Sequence, residues 1–215
     1  MLDYYERRAP EYEAIYAKPE RQGDLRRLQD DLCELVRGQR VLELACGTGY
    51  WTRRMATVAA AVEATDASAS LARAAAASCG STAEVSWRVV DAYAPSIGGD
   101  VTCVVAGFFF SHVPTSRSDA FLSTLAAAVR PGTRLILFDN RYVEGSSAPI
   151  AETDAGGDTY QLRRLADGSK HRVLKNFPTA SRLRAALATV GREIRVREYE
   201  YYWLAAVRKD PGAER

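Results

Sequence analysis

Val41-Leu42-Glu43-Leu44-Ala45-Cys46-Gly47-Thr48-Gly49-Tyr50-Trp51-Thr52 is the stretch that decides the fold. An aliphatic run breaks into a glycine-punctuated turn and resumes as an amphipathic segment, which reads as strand, tight loop and helix. Gly47 and Gly49 stand where the chain leaves the strand, where a backbone must take positive φ or admit a ligand without a Cβ in the way. Such a loop suits a nucleotide-type ligand, but two common ones do not match it. A dinucleotide site calls for a third small residue near Thr52, and a P-loop ends in Gly-Lys-Ser/Thr. From Val41 to Thr52 there is no lysine or arginine, and the strand carries a carboxylate at Glu43. That balance favours ammonium and sulfonium charges over phosphates.

Glu43-x-Ala45-x-Gly47-x-Gly49 resembles the first motif of the class I S-adenosylmethionine-dependent methyltransferases, with Ala45 in place of the first glycine of the usual Glu/Asp-x-Gly-x-Gly-x-Gly. The resemblance extends from about Val41 to Val207 and implies an α/β fold. It implies a Rossmann-like, mostly parallel seven-stranded sheet with one antiparallel strand, helices on both faces, and S-adenosyl-L-methionine as cofactor. Periodicity independently gives alternating strands and helices, hence a parallel sheet covered on both faces; the strand order comes from the family alone.

Outward from the glycine loop, Tyr50–Ala59 reads as a helix and Ala60–Thr65 as a strand ending in Asp66-Ala67. A carboxylate roughly 20 residues beyond such a loop is placed to take both ribose hydroxyls; Asp66 or Ser68 is equally suited to cap the helix Ala69–Ser78. A third strand, Glu84–Val90, runs into Asp91-Ala92-Tyr93, which resembles the motif where an acidic side chain meets the adenine amine and the next backbone amide meets a ring nitrogen. The most apolar run, Asp100 to Phe110, reads as a central parallel strand, with Ala106 near its end assigned to the cofactor site. Before the loop, Tyr4-Tyr5-Glu6-Arg7-Arg8-Ala9-Pro10-Glu11-Tyr12 resembles the family's N-terminal cap. For Tyr12, cofactor capping and plain helix packing both remain open, and Arg21 is a partner offered for the methionine carboxylate.

Strand carboxyl ends hold the ligands of open α/β sheets, so the segments after the fourth and fifth strands supply the acceptor site: Phe108, Phe109, Asn140, Arg141 and Tyr142, with His112 for chemistry. An imidazole titrates near physiological pH and can take the proton that an oxygen or nitrogen acceptor loses; a structural histidine beside a helix start is the other reading. The Asp/Asn-Pro-Pro-Tyr and Pro-Cys signatures of base methylation and the Glu-rich double loop of arginine methylation are absent, which favours a small-molecule methyl acceptor.

The 215 residues fit a single methyltransferase domain over 1–215, with an N-terminal helical cap at 1–38 and a hairpin insertion at 143–177. In the insertion, Tyr160–Leu165 and His171–Lys175 alternate around Asp167-Gly168, a hairpin signal; a substrate lid or a homodimer contact would suit it. A helix at Thr179–Val190 and strands at Ile194–Tyr199 and Tyr201–Val207 close the chain, leaving a polar tail. A net charge of +2 gives no footprint for nucleic acid or membrane. The four cysteines lack metal-ligand spacing and read as reduced core thiols, so no metal is expected. Without a long apolar run or a signal peptide, a cytoplasmic location is expected. A nicotinamide oxidoreductase shares this architecture, but the third glycine and a Tyr-x-x-x-Lys are missing. A non-catalytic module that binds the cofactor or a partner is the second alternative.

Overall fold

The computed structural model describes residues 2–80 and 84–210, with the side chain of Leu2 set aside. Residues 211–215, most of the expected polar tail, lie outside the described residues.

Two prolines shape the N-terminal segment. Helix α1 (Leu2–Arg8) stops just before Pro10, the chain continues as a 3-10 helix over Ala9–Ala17, and a second short 3-10 turn over Pro19–Arg21 leads into α2 (Gln22–Val36). A proline fits the first turn of a helix and breaks its interior. Helix α2 buries Leu25, Leu28, Leu32 and Val36, a stripe at helical spacing.

The core begins with β1 (Arg40–Leu44), α3 (Tyr50–Met55), β2 (Ala61–Asp66), α4 (Ala69–Cys79) and β3 (Val85–Val89). It continues through β4 (Cys103–Gly107), α5 (Ser118–Ala128) and β5 (Arg134–Asn140). The insertion forms its own three-stranded sheet, β6 (Glu152–Thr153), β7 (Thr159–Arg164) and β8 (Lys170–Leu174). Helix α6 (Ala180–Ala188) and strands β9 (Gly191–Glu198) and β10 (Tyr202–Lys209) finish the chain. The main sheet has the order β3-β2-β1-β4-β5-β10-β9; β10 runs antiparallel to both neighbours and every other pairing is parallel. Sequence order reverses between β1 and β4, the position at which open α/β sheets bind ligands outside the strand carboxyl ends.

Side chains alternate across this sheet as a two-residue period demands. Leu42, Leu44, Val104, Ala106, Leu135 and Leu137 pack with α5 and α6 on one face; Val41, Val105, Ile136 and Phe138 pack with α2 and α3 on the other. Both faces of β1, β4 and β5 are therefore buried, which accounts for their continuous apolar runs.

Helix α3 and strand β4 fall furthest short of their expected lengths. Helix α3 ends at Met55, where Thr57 Oγ1 donates to the Arg54 carbonyl and competes with a further helical turn. Strand β4 ends at Gly107 because Phe108 turns to φ +54°. Ala45, after β1, also has a positive φ, +53°. Non-glycine residues rarely adopt this conformation, and it gathers at functional turns. At Gly107, an added Cβ would lie 2.3 Å from Cζ of the fully buried Phe138. Gly107→Ala should therefore destabilise the fold by about 1–3 kcal/mol through overpacking, measured by denaturant unfolding. An unchanged midpoint would mean that Phe138 has room to yield.

Candidate active site

The carboxyl ends of β1, β2, β3 and β4 open onto one cavity of about 340 Å³. After β1 the chain turns at Ala45 and Gly47 (φ +56°), where nothing lies within 4 Å of the missing Cβ, so the backbone faces open space. Gly49 serves a different purpose: a Cβ there would meet Cys79 Sγ at 3.1 Å and Ala75 at 3.2 Å, so it lets α3 approach α4. Asp66, at the end of β2, accepts from the amides of Gly47 and Ser68, both at 2.9 Å, and thereby ties the glycine loop to the next turn. Burial raises its carboxyl above the usual range, opposed by those two amides. The helix cap falls to Ser68, whose Oγ accepts from Leu71 N. Asp91, beyond β3, accepts from Tyr93 N and remains exposed.

Ala45, Gly47, Asp66, Ala67, Asp91, Ala92, Phe108, Phe109, His112 and Tyr12 all line this cavity, and among the described residues no lysine or arginine does. Glu43 and Ala106 do not; they are buried beneath it. Glu43 is 3% exposed and accepts from Thr52 Oγ1 at 2.5 Å, which pins α3 onto β1. Burial pushes its carboxyl up to about 8, so it is largely uncharged at neutral pH. The negative charge at the cavity comes from Asp66 and Asp91. Such a space, with carboxylates at its rim, apolar walls from Leu71, Val90 and Ala92, and no cation to meet a phosphate, fits an adenosyl sulfonium compound.

A second cavity, also about 340 Å³, adjoins the first; Tyr5, Tyr12, Phe108 and His112 line both. Arg21 and Asn140 belong to the second, where Arg21 donates from Nε to Ser146 Oγ (2.9 Å) and from an Nη to Asn140 Oδ1 (3.1 Å). Arg141 pairs with Glu198 and the Tyr199 carbonyl, and Tyr142 lines a third cavity of about 540 Å³ with Phe177 and Leu183.

A family described as a methyltransferase domain matches residues 41–132. A solved DhpI–SAH complex is 31% identical, covering 98% of this chain and 95% of its own, with a TM-score of 0.75. The chain belongs to the class I S-adenosylmethionine-dependent methyltransferases. A DhpI–SAM–HEP complex is 28% identical over 95% of this methyltransferase and 94% of that chain, with a TM-score of 0.77. SAM-bound CalS10, an amino pentose methyltransferase from Micromonospora echinaspora, shares the fold at 18% identity, 91% and 95% coverage and a TM-score of 0.62. No curated protein sequence matches the chain. Among the described residues no helix is long and apolar enough to cross a membrane.

The methyltransferase closes its two cavities with its N-terminal segment. Tyr5 donates its hydroxyl to His112 Nε2 (2.7 Å), since Nδ1 must carry the proton that meets the Leu174 carbonyl at 2.5 Å. Glu6 accepts from Ser68 and Ser70, Arg7 pairs with Asp167 of the insertion, and Glu13 accepts from Thr48 and Arg53. Lys175, after β8, is buried and donates to Ser111 Oγ (2.7 Å) and Asp139 Oδ1 (2.5 Å). Tyr5 and Arg8 of the expected cap line the second cavity, and so do Lys18, Arg163, Arg164 and Lys175, none singled out in the sequence. The available signal was the phase of β7: Gln161 is 3% exposed and Leu162 55%, so the polar side of the alternation points inward.

Burial, reinforced by the charges of Lys175 and Arg163, depresses His112 to about 3, so the neutral ring is the native form. Its contribution to stability is complete above the unfolded value near 6.5 and is lost as pH falls from there toward 3. The stability difference between wild type and His112→Gln should therefore stay level above about pH 7 and narrow as pH falls from 6.5 to 4.5 in urea unfolding. A difference independent of pH would mean that the imidazole titrates normally.

Proposed function

We propose that this methyltransferase transfers a methyl group from S-adenosylmethionine to an oxygen or nitrogen of a small-molecule acceptor, with the cofactor in the carboxylate-rimmed cavity and the acceptor in the adjoining one. The observation that carries this reading is their shared wall, Tyr5 and Tyr12 from the N-terminal segment with Phe108 and His112 beyond the carboxyl end of β4. The DhpI complex with both SAM and HEP supports a site for two molecules.

In this reading Asp66 receives the ribose and Asp91 with the Ala92 amide receives the adenine edge. When bound, S-adenosylmethionine supplies a methyl group already activated on its sulfonium sulfur. The protein's contribution is alignment and exclusion of water, which can lower a barrier by about 7–11 kcal/mol. Tyr12 and Phe108 supply apolar walls at the junction, and the Tyr5–His112 hydrogen bond fixes the phenol between the cavities. We assign the hairpin insertion to the acceptor side, because Gln161, Arg163 and Lys175 face that cavity.

Asp66→Ala should weaken S-adenosylmethionine binding by about 1–3 kcal/mol, read by calorimetry with NAD as the control ligand. Unchanged affinity would reject the ribose role. Formation of S-adenosylhomocysteine with a panel of small acceptors separates an enzyme from a binding module.

A further inference from the structure

We infer that the acceptor is a small oxyanion, methylated on an oxygen that already carries negative charge. This rests on the reading of the second cavity as the acceptor site, and two independent features of that cavity carry it.

The first is its unbalanced charge. Arg8, Lys18, Arg21, Arg163, Arg164 and Lys175 line it, and among the described residues no aspartate or glutamate does. Only Lys175 forms an ion pair there, with Asp139; among the described residues the other five make none. Arg21 is 6% exposed, yet its direct partners are the neutral oxygens of Ser146 and Asn140, and the exposed carboxylate of Glu20 is reached only through the Ser146 hydroxyl. A buried cation without a counter-charge is costly, and proteins ordinarily pair it. Arg163 is also held in place: Gln161 Oε1 accepts from its Nε (3.1 Å) and an Nη (2.8 Å), while Gln161 itself donates to the Ala148 carbonyl. Gln161 is thus a positioning residue for the Arg163 guanidinium, which also faces the Tyr4 hydroxyl and no carboxylate among the described residues. Guanidinium forks fixed by neutral partners match the geometry of carboxylate and phosphoryl oxygens.

The second is the absence of a vacant base. An alcohol or ammonium acceptor must lose a proton, and His112 was the residue expected to take it. Both of its ring nitrogens are occupied, Nδ1 by the Leu174 carbonyl and Nε2 by the Tyr5 hydroxyl. The carboxylates of Asp66 and Asp91 lie in the other cavity. An oxyanion needs no base. Its lone pair forms the new O–CH₃ bond as the S–CH₃ bond breaks, and the bonding pair stays on sulfur. One positive charge on the sulfonium and one negative charge on the acceptor disappear together, and no proton moves. The product is a methyl ester carrying one negative charge fewer, held less tightly by the same cations.

The test compares probes of similar shape: propionate, ethyl phosphate and ethylphosphonate against 1-propanol and propylamine, each with the enzyme and S-adenosylmethionine. We expect at least one anion to form S-adenosylhomocysteine at least a hundredfold faster than the neutral alcohol or the amine. Its product should gain one methyl by mass and elute earlier from an anion exchanger; the carboxylate and phosphoryl arms identify which head group is taken. In parallel, inorganic phosphate and propionate are titrated into enzyme saturated with S-adenosylhomocysteine. Arg163→Gln, at a half-buried side chain whose loss leaves the core intact, should weaken binding of the preferred anion at least tenfold, Arg163→Lys should recover part of it, and Arg21→Met is the second variant. Should no probe turn over, the titrations decide. Equal or faster methylation of propanol or propylamine, or anion affinities untouched in both Arg163→Gln and Arg21→Met, overturns the inference and leaves the methyl-transfer reading standing. Failure of the wild-type enzyme to bind S-adenosylmethionine would remove both.

Discussion

A single buried ammonium joins the two halves of the site. Lys175 leaves the hairpin insertion and reaches the carboxyl ends of β4 and β5, donating to Ser111 and Asp139, while Asp139 also accepts from the amides of Ser111 (3.2 Å) and Asn140 (2.8 Å). Removing water from both charges is expensive, and only close geometry with the remaining lone pairs satisfied offsets it. Burial, which would raise the Asp139 carboxyl, is outweighed by Lys175, while burial brings Lys175 down to about 8. Asn176, the next residue, donates its amide to the Ser111 carbonyl at 2.8 Å, so backbone and side chain register the insertion at the same place. The second cavity exists because this joint holds β7 and β8 against the sheet.

The electrostatic character of the molecule changes across a wall of aromatic rings. On one side the carboxylates of Asp66 and Asp91 stand at strand ends; on the other, cations come from the N-terminal segment and the insertion. Tyr5, Tyr12 and Tyr16 meet edge to face, with centroids 6.1 and 6.2 Å apart, and Tyr16 packs on Phe108 at 5.8 Å. Water excluded by such rings no longer screens the charges, which strengthens their action on whatever lies between them.

Most of the fold was legible because its signals are local. The run Val41–Leu44 followed by Gly47 and Gly49 announces strand, turn and helix, and the burial of β1, β4 and β5 on both faces makes their apolar runs unambiguous. Asp66 and Asp91 come to one cavity with the glycine loop because parallel strands end at the same edge of the sheet. Less legible was where a charged side chain would point. Glu43 lies on the same strand as the apolar core and turns into it, satisfied by Thr52; Arg21 follows the 3-10 turn of Pro19 into the adjoining cavity. The cationic lining was hidden for a different reason. Arg163 sits on β7, whose polar phase faces inward, where pattern reading assumes that the apolar phase does, and Lys175 follows directly after β8.

Helix α1 spans from Asp167 in the insertion, through His112, to Ser68 and Ser70 on the cofactor side. One seven-residue element is therefore the common roof of both chambers. In the proposed reading, lifting it would uncover the two together, so the spent cofactor and the methylated compound would share a doorway and the traffic of each would depend on the other.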